Sequence, residues 1–464
     1  MIDFKHTEGI YFVGIGGIGM SALALYFSEK GFRVAGYDRS MSFITASLVE
    51  KGCQVTDDDC PSSIPVFFRD VTNAGRIKIV YTPAIHSENN ILTWFRSNGF
   101  DVSKRSEVLG AITHDSDTIA VAGTHGKTTV TTMISHLLKQ SAVGCSAFLG
   151  GISKNYNTNY IGGEGKFTVV EADEFDRSFH RLNPSVAVVT SLDADHLDIY
   201  GDHGSMIEAY KEFCDRIRSG GCLIANKPVR QLLRVPEGVK CLTYGTEQGS
   251  DYLLYDVQNR QGYYSFSVKT PQMKIEDIHF RFPGIINLVN MTAAVAVAIE
   301  CGVTVDEIRR SVPLFQGVRR RFDIRFDSAG LTYIDDYAHH PEEIWAFVTS
   351  VREYFPGRRI TGIFQPHLYS RTRDHFRGFA SILDNLDETI LLPVYPAREK
   401  PIPGVTSQLI FDEMRSENKR ILSMDEIMPE LDMSAVDVLV TIGAGDIDRL
   451  VQPIEDKMKM YSGR

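Results

Sequence analysis

The stretch with the most chemistry in it is Gly123-Thr124-His125-Gly126-Lys127-Thr128-Thr129, which follows the apolar run Thr118 to Ala122. Successive backbone amides at the start of a helix cradle phosphate oxygens, a lysine neutralises β/γ-phosphate charge and a hydroxyl ligates Mg²⁺. The run is a shortened phosphate loop, with two residues between its glycines where the general pattern has four. It predicts an ATP site over Gly123, Thr124, His125, Gly126, Lys127, Thr128 and Thr129. Glu171-Ala172-Asp173-Glu174 follows a second strand-like run, Phe167 to Val170. A carboxylate at the end of a strand beside a phosphate loop is a Mg²⁺ ligand in the making. The stretch Asp193-Ala194-Asp195-His196-Leu197-Asp198 adds an imidazole that could ligate a metal. Thr128, a carboxylate of this acidic run and His196 are thus candidate metal ligands.

A second glycine-rich run, Gly14-Ile15-Gly16-Gly17-Ile18-Gly19, lies directly after the strand-like Ile10 to Val13. Such glycines permit a tight turn and bring a diphosphate close to a helix N-terminus. Asp38, nineteen residues beyond Gly19, is placed to accept a hydrogen bond from a ribose hydroxyl. Asn287 and Asn290 could bond an adenine edge, although asparagine is also a good helix cap, and residue type alone favours the cap. Arg319-Arg320-Arg321 in an acidic chain suggests an anion clamp, because guanidinium binds phosphate or carboxylate bidentately. Asp335-Asp336-Tyr337-Ala338-His339-His340-Pro341 and Gln365-Pro366-His367-Leu368-Tyr369-Ser370-Arg371 add further candidates. Each of these histidines taken alone reads more simply as a core or capping residue.

These residues need a scaffold that gathers loops at one edge. In the first hundred residues strand-like runs, with further ones at Arg33 to Tyr37 and Ile77 to Tyr81, alternate with amphipathic stretches such as Ser21 to Lys30, which has helical periodicity. That alternation implies a parallel sheet with crossover helices. The pattern resumes near Gly110 and again near Gly317, and the stretch 251–282 reads as an antiparallel insertion or edge. The expected fold class is α/β with three domains: a Rossmann-like parallel sheet over 1–109, a central phosphate-loop ATPase domain over 110–316 and a Rossmann-like domain over 317–464.

Composition excludes several classes. Of 464 residues, 43% are hydrophobic and 23% charged, which is ordinary globular usage. Forty-nine Lys plus Arg against 59 Asp plus Glu leave a net charge of -10. An acidic chain with no basic run is a poor general binder of nucleic acid or bilayers. No apolar run reaches the ~18 residues of a membrane span. Residues 1–6 lack the pattern of a signal peptide. Seven scattered cysteines read as reduced thiols, so a cytoplasmic location is expected.

In their order along the chain these motifs resemble the Mur ligases, and the likeness covers all three expected domains. Within that family the pair of motifs at Asp335 to Pro341 and Gln365 to Arg371 resembles the branch that adds L-alanine. The resemblance implies ATP-dependent amide formation in peptidoglycan synthesis, with UDP-N-acetylmuramate, ATP and L-alanine as small-molecule substrates and ATP and Mg²⁺ as cofactors. It implies UDP-sugar binding at Gly14, Gly16, Gly17, Gly19 and Asp38. It assigns Thr128, Glu171 and His196 to the metal, Asn290, Arg321 and Asp336 to the nucleotide, and His339, His367 and Arg371 to the amino acid or carboxylate. Lys127, Glu171, His196, His339 and Arg371 are the expected catalytic set, with His339 the candidate base for the amine. Two positions depart from the family pattern: Ile286 stands where histidine is usual, and Leu368 where many relatives have arginine. Lys211 lies where some Mur ligases carry a carbamylated lysine, a role not expected in this branch. A ligase adding a preformed murein peptide is the nearest alternative. A dinucleotide-dependent oxidoreductase would explain the first glycine run alone.

Overall fold

The computed structural model describes every residue except 1, 3, 87, 115, 195, 196, 261, 262, 329, 398 and 464, and at 176, 197, 198 and 260 the backbone alone. The expected strand runs form, and they fall into three sheets. The first contains β1 (Gly9–Val13), β2 (Arg33–Tyr37), β3 (Gln54–Thr56), β4 (Ile77–Tyr81) and β5 (Asp101–Lys104), all parallel, in the order β3-β2-β1-β4-β5. Order reverses at β1, so a crevice opens at the carboxyl ends of β1 and β4.

The second sheet is built on β6 (Asp117–Ala122), β7 (Cys145–Ser153), β8 (Thr158–Ile161), β9 (Phe167–Glu171), β10 (Val186–Val189), β11 (Cys222–Asn226) and β12 (Lys240–Gly245). It continues through β13 (Tyr252–Arg260), β14 (Tyr263–Lys269) and β15 (Lys274–Phe280), in the order β15-β14-β13-β12-β11-β10-β6-β9-β7-β8. The stretch expected to form an insertion or edge is thus the edge. Here the order reverses at β6, which pairs in parallel with β10 on one side and β9 on the other.

The third sheet holds β16 (Asp323–Ser328), β17 (Leu331–Asp336), β18 (Ile360–Phe364), β19 (Glu388–Leu391), β20 (Lys419–Ile421) and β21 (Val438–Ile442), in the order β16-β17-β21-β18-β19-β20. Only β16 runs antiparallel to its neighbour.

Three sheets do not make three separate compact bodies. One unit comprises Met1–Val257, Ser265–Phe280 and Val289–Gln316; the other comprises Gln258–Tyr264, Arg281–Leu288 and Gly317–Arg464. Within the first unit one continuous apolar cluster runs from Ile10, Phe12 and Phe27 of the first sheet's layers to Ala120, Val189 and Phe213 of the second's, and another, around Tyr11, Ile79 and Phe95, belongs to the first sheet alone. Tyr26 packs its ring on Phe148 and Tyr160, and Asn159 donates to Ile18 O at 2.5 Å and Ser21 Oγ at 2.8 Å. The second unit has its own core around Tyr333, Ile363 and Leu439. Among the described residues no helix is long and apolar enough to cross a membrane, and all seven cysteines are free thiols.

The helix Lys127–Lys139 is buried along almost its whole length despite its threonines and serines. Thr132 Oγ1 and Ser135 Oγ each donate to the carbonyl one turn back at 2.7 Å, which lets hydroxyls sit in an apolar layer. His136 is fully buried with Nε2 2.9 Å from Ser311 O and Nδ1 3.3 Å from Tyr156 Oη. A carbonyl at Nε2 requires the proton there, so the neutral ring donates to Ser311 and accepts from Tyr156. Burial holds the imidazole below its usual range, although the Ser311 bond opposes this. The unfolded chain therefore takes up a proton that the folded chain refuses once pH drops below about 6.5, and stability is lost as pH falls. His136→Ala should cost about 2–4 kcal/mol at pH 7.5 by leaving a cavity and an unpaired carbonyl. Urea unfolding should show the difference between wild type and variant shrinking at pH 5.

Candidate active site

The carboxyl end of β6 fixes the phosphate loop. β6 ends at Ala122 and the helix begins at Lys127, so residues 123–126 must turn tightly. Gly123 has φ +137° and passes so close to β10 that a Cβ would lie 2.0 Å from Thr190 Oγ1. Gly126 is left-handed at φ +81°. The segment after β10 staples the loop down: Thr124 N donates to Ser191 O at 3.0 Å, His125 N to Ser191 Oγ at 2.8 Å and Thr190 Oγ1 to His125 O at 2.5 Å. His125 Nε2 lies 3.7 Å from Asp193 Oδ2. Asn290 sits beside the loop, its Oδ1 3.1 Å from a Cβ built on Gly126. The capping role that residue type suggested for Asn287 and Asn290 does not hold, because the helix starts earlier, at Ile285.

Lys127 turns inward. Its ammonium donates to Gly123 O at 2.6 Å, Glu174 Oε1 at 2.7 Å and Thr124 O at 3.2 Å. Burial opposes its charge, but Glu174 and Glu171 outweigh burial and hold it above the ordinary lysine range. Thr128 Oγ1 donates to Glu171 Oε1 at 3.1 Å. Glu171 reaches this point because residue 150, on the neighbouring β7, is glycine: a Cβ there would lie 2.0 Å from Glu171 Oε2. Among the described residues no three His, Cys, Asp or Glu side chains form a ready-made metal cage. Thr128 and Glu171 nonetheless fit Mg²⁺, which takes hard oxygens, often one or two carboxylates, and completes its shell with water and phosphate. His196, the third expected ligand, lies outside the described residues.

The first glycine run turns at the end of β1. Gly14, at φ +91°, and Ile15 both donate to Tyr37 O, at 2.7 and 3.0 Å. Asp38 braces this loop: Oδ2 accepts from Gly16 N at 2.8 Å and Oδ1 from Ser40 N at 3.1 Å. A cavity of about 320 Å³ opens between this loop and the second sheet, lined by Gly17, Gly19, Thr82, Arg105, Glu171 and Asp173 among others. One cavity therefore touches both the glycine loop and the carboxylate that faces Thr128. Arg105 bridges them, with Nη2 3.1 Å from Asp173 Oδ2 and Nη1 2.9 Å from a Cβ built on Gly19. Arg105, Gly150 and Glu174 carry much of this geometry, and sequence reasoning assigned them no role. A lone arginine after an edge strand and a glycine inside a strand have no signature, whereas Glu174 stood in view within its acidic motif.

In the second unit the remaining candidates gather at the carboxyl ends of β17 and β18. Asp336 accepts from Phe322 N at 2.6 Å and Ala338 N at 2.7 Å, and burial pushes its carboxyl up to about 7 against the pull of Arg321. Glu343 is the hub: it accepts from His339 N at 3.1 Å, and lies 3.2 Å from His339 Nδ1 and 3.7 Å from Arg321 Nη1. Burial lowers the His339 imidazole's pKa, and Glu343 works against that. His339 and His367 meet with ring centroids 5.8 Å apart, and His367 stacks on Tyr395 at 5.7 Å. Arg371 is near enough to His339 to disfavour its charge.

The three arginines do not act as one clamp. Arg320 is tied to Asp335 Oδ2 at 3.2 Å and Gly443 O at 2.7 Å, so it is structural. Arg320 and Arg321 flank the ring of Tyr337 at 5.1 and 5.2 Å. Leu368, one of the two departures, takes a left-handed φ of +71° as the helix Tyr369–Leu383 begins.

Family models match three successive stretches of the chain. Residues 9–116 match the Mur ligase family catalytic domain, 121–298 the Mur ligase middle domain and 320–454 the Mur ligase glutamate ligase domain. The chain belongs to the Mur ligase family. Among Mur ligases, UDP-N-acetylmuramate–L-alanine ligase of Porphyromonas gingivalis is 47% identical over 97% of this chain and 99% of its own length. The enzyme of that name from Parabacteroides distasonis is 44% identical over 98% of each chain. The solved UDP-N-acetylmuramate–alanine ligase of Thermotoga maritima superposes with a TM-score of 0.83 at 25% identity, over 98% of this chain and 99% of its own.

Since Gly150 clears the space that Glu171 occupies, Gly150→Ala should displace that carboxylate. A misplacement of about 1 Å at a catalytic centre costs on the order of 10²-fold. Turnover of the Mur ligase reaction should fall by about that factor while circular dichroism stays native.

Proposed function

We propose that this chain joins L-alanine to the lactyl carboxylate of UDP-N-acetylmuramate, consuming ATP and releasing ADP and phosphate, in peptidoglycan precursor synthesis in the cytoplasm. The observation that carries the reading is near-full-length identity of 44–47% to ligases of that name. The cavity joining the glycine loop to Glu171 supports it. A solved murein peptide ligase from Psychrobacter arcticus shares the fold, with a TM-score of 0.71, at only 21% identity. An oxidoreductase would leave the phosphate loop and its acidic partner strand without a purpose.

Amide formation from a free carboxylate is uphill in water, so the carboxylate is first activated. Its oxygen attacks the γ-phosphorus of ATP, the bond to the β-bridging oxygen breaks, and an acyl phosphate and ADP result. The alanine amine then attacks the acyl carbon and phosphate leaves. Two anions must meet in the first step, and cations supply the screening that allows it. Lys127 is the cation on the β/γ-phosphates, and Asn290 beside Gly126 is the adenine contact. Arg105 binds the anionic part of the sugar nucleotide at Gly14 to Gly19. Thr128 and Glu171, with His196, would hold Mg²⁺, whose bound charge withdraws electron density from the transferring phosphoryl group. Arg321 and Asp336 serve the nucleotide. His367 and Arg371 hold the amino-acid carboxylate, and His339, kept neutral by burial, takes the amine proton. The sugar nucleotide belongs to residues 1–109, ATP to 110–316 and the amino acid to 317–464.

Phosphate release from ATP should require both UDP-N-acetylmuramate and L-alanine, with a product heavier by one alanyl residue. Release only with the murein tripeptide would overturn the alanine assignment. Lys127→Ala should lower turnover by about 10²–10³-fold, the cost of removing one strong contact to developing charge. Arg105→Ala should raise the KM for the sugar nucleotide by about tenfold or more, the loss of one charge-assisted contact, leaving the KM for ATP within about twofold.

A further inference from the structure

Two carboxylates reach the cavity beside the first glycine run from one strand edge. β9 ends at Glu171, but Ala172 N still donates to Val121 O at 2.8 Å, so the extended chain runs one residue further. Side chains alternate along an extended chain. Ala172 is accordingly buried in the core, while Glu171 and Asp173 both line the cavity. Glu171 turns to Thr128, whereas Asp173 turns to Arg105, with Oδ2 3.1 Å from Nη2.

A carboxylate in the wall of a site for an anionic ligand repels that ligand unless it is neutralised. Stability does not account for its presence. The Asp173 side chain is 39% exposed, and ion pairs open to water to that degree contribute little. The geometry of the pair gives the better account. Asp173 is itself fixed: Oδ1 accepts from Phe175 N at 3.0 Å, a local turn that leaves Oδ2 facing the guanidinium. Arginine carries five donors on a planar fork, at the end of a side chain with much rotamer freedom to lose. Held at Nη2, the fork lies across Gly19, with Nη1 2.9 Å and Cδ 3.1 Å from the place a Cβ would take. Nη1 is thereby laid against the glycine run, in the wall of the cavity.

We propose that Asp173 is a positioning residue for the sugar nucleotide: it orders the Arg105 guanidinium beforehand, so that the anionic part of the ligand meets a cation already in place. This rests on the assignment of UDP-N-acetylmuramate to the cavity at Gly14 to Gly19. Without the carboxylate, Arg105 keeps its charge and loses its aim, and binding must then order the side chain as well.

The test is the KM for UDP-N-acetylmuramate at saturating ATP and L-alanine, together with its Kd by isothermal titration calorimetry, for wild type, Asp173→Asn, Arg105→Ala and the double variant. Asparagine keeps the oxygen that Phe175 N needs and turns an amide nitrogen toward Arg105. Asp173→Asn should raise the KM and the Kd for the sugar nucleotide by about tenfold, the weight of one charge-assisted contact. The kcat and the KM for ATP should stay within about twofold of wild type. In the Arg105→Ala background the same substitution should change neither constant. A Kd that tightens or stays the same in Asp173→Asn would overturn the proposal, because the carboxylate would then only compete for the arginine. A rise that persists without Arg105, or a fall in kcat joined by a rise in the KM for ATP, would overturn it in favour of a role in folding the turn. If Asp173→Asn does not fold, Asp173→Ser, whose shorter hydroxyl keeps the turn but not the ion pair, should give the same rise. Failure of both to fold would likewise overturn the proposal. Wild type that binds no UDP-N-acetylmuramate would instead sink the assignment of the sugar nucleotide to this cavity, and the proposal with it.

Discussion

A lysine ammonium and a glutamate carboxylate, closed off together beneath a phosphate loop, set the terms for the first unit. Everything around them serves to keep charge where water cannot help. β6 delivers the loop, β9 delivers the carboxylates, and the segment after β10 ties the loop down through Thr190 and Ser191. The parallel sheet matters here because it directs all three strand ends toward one edge. In an antiparallel arrangement of these three strands, neighbouring ends would lie on opposite edges, and the ion pair could not be assembled from such short segments.

Absent side chains shape this site as much as present ones. Gly123 permits contact with Thr190, Gly150 gives Glu171 its place, and Gly19 leaves room for Arg105. Each is a position where one methyl group would fill space that a charged or polar group needs. The glycines therefore do two jobs, one conformational, at Gly14 and Gly126, and one of clearance. Gly19 and Gly123 stand within motifs, whereas the clearance at Gly150 has no local signature.

Much of the architecture was legible because hydrophobic runs of four to six residues followed by glycine announce parallel strands and their loops. The strands ending at Val13 and Ala122 were found that way, and the one ending at Glu171 by its apolar run and the acidic motif that follows it. What remained hidden depends on pairing across the chain. Nothing local marks Arg105 as the partner of Asp173, or Glu343 as the residue that holds His339 and Arg321. The arginine triplet hid its differences for the same reason: Arg320 is consumed by Asp335 and Gly443, while Arg321 lies beside Glu343. Asparagines read as caps turned out to lie inside a helix, because helix boundaries depend on the Pro283–Gly284 turn as well as on residue preference.

The shared core beneath the first two sheets bears on how this chain can be taken apart. Sequence families divide residues 9–116 from 121–298, yet apolar side chains from both meet in one cluster, with Tyr26 against Phe148 and Tyr160. A fragment cut between them would present that surface to solvent, and large bare apolar patches promote association. Recombining the amino-terminal segment of one relative with the remainder of another would mismatch those aromatic contacts even where every motif is preserved. Modularity in descent, for this pair of sheets, does not mean independence in folding.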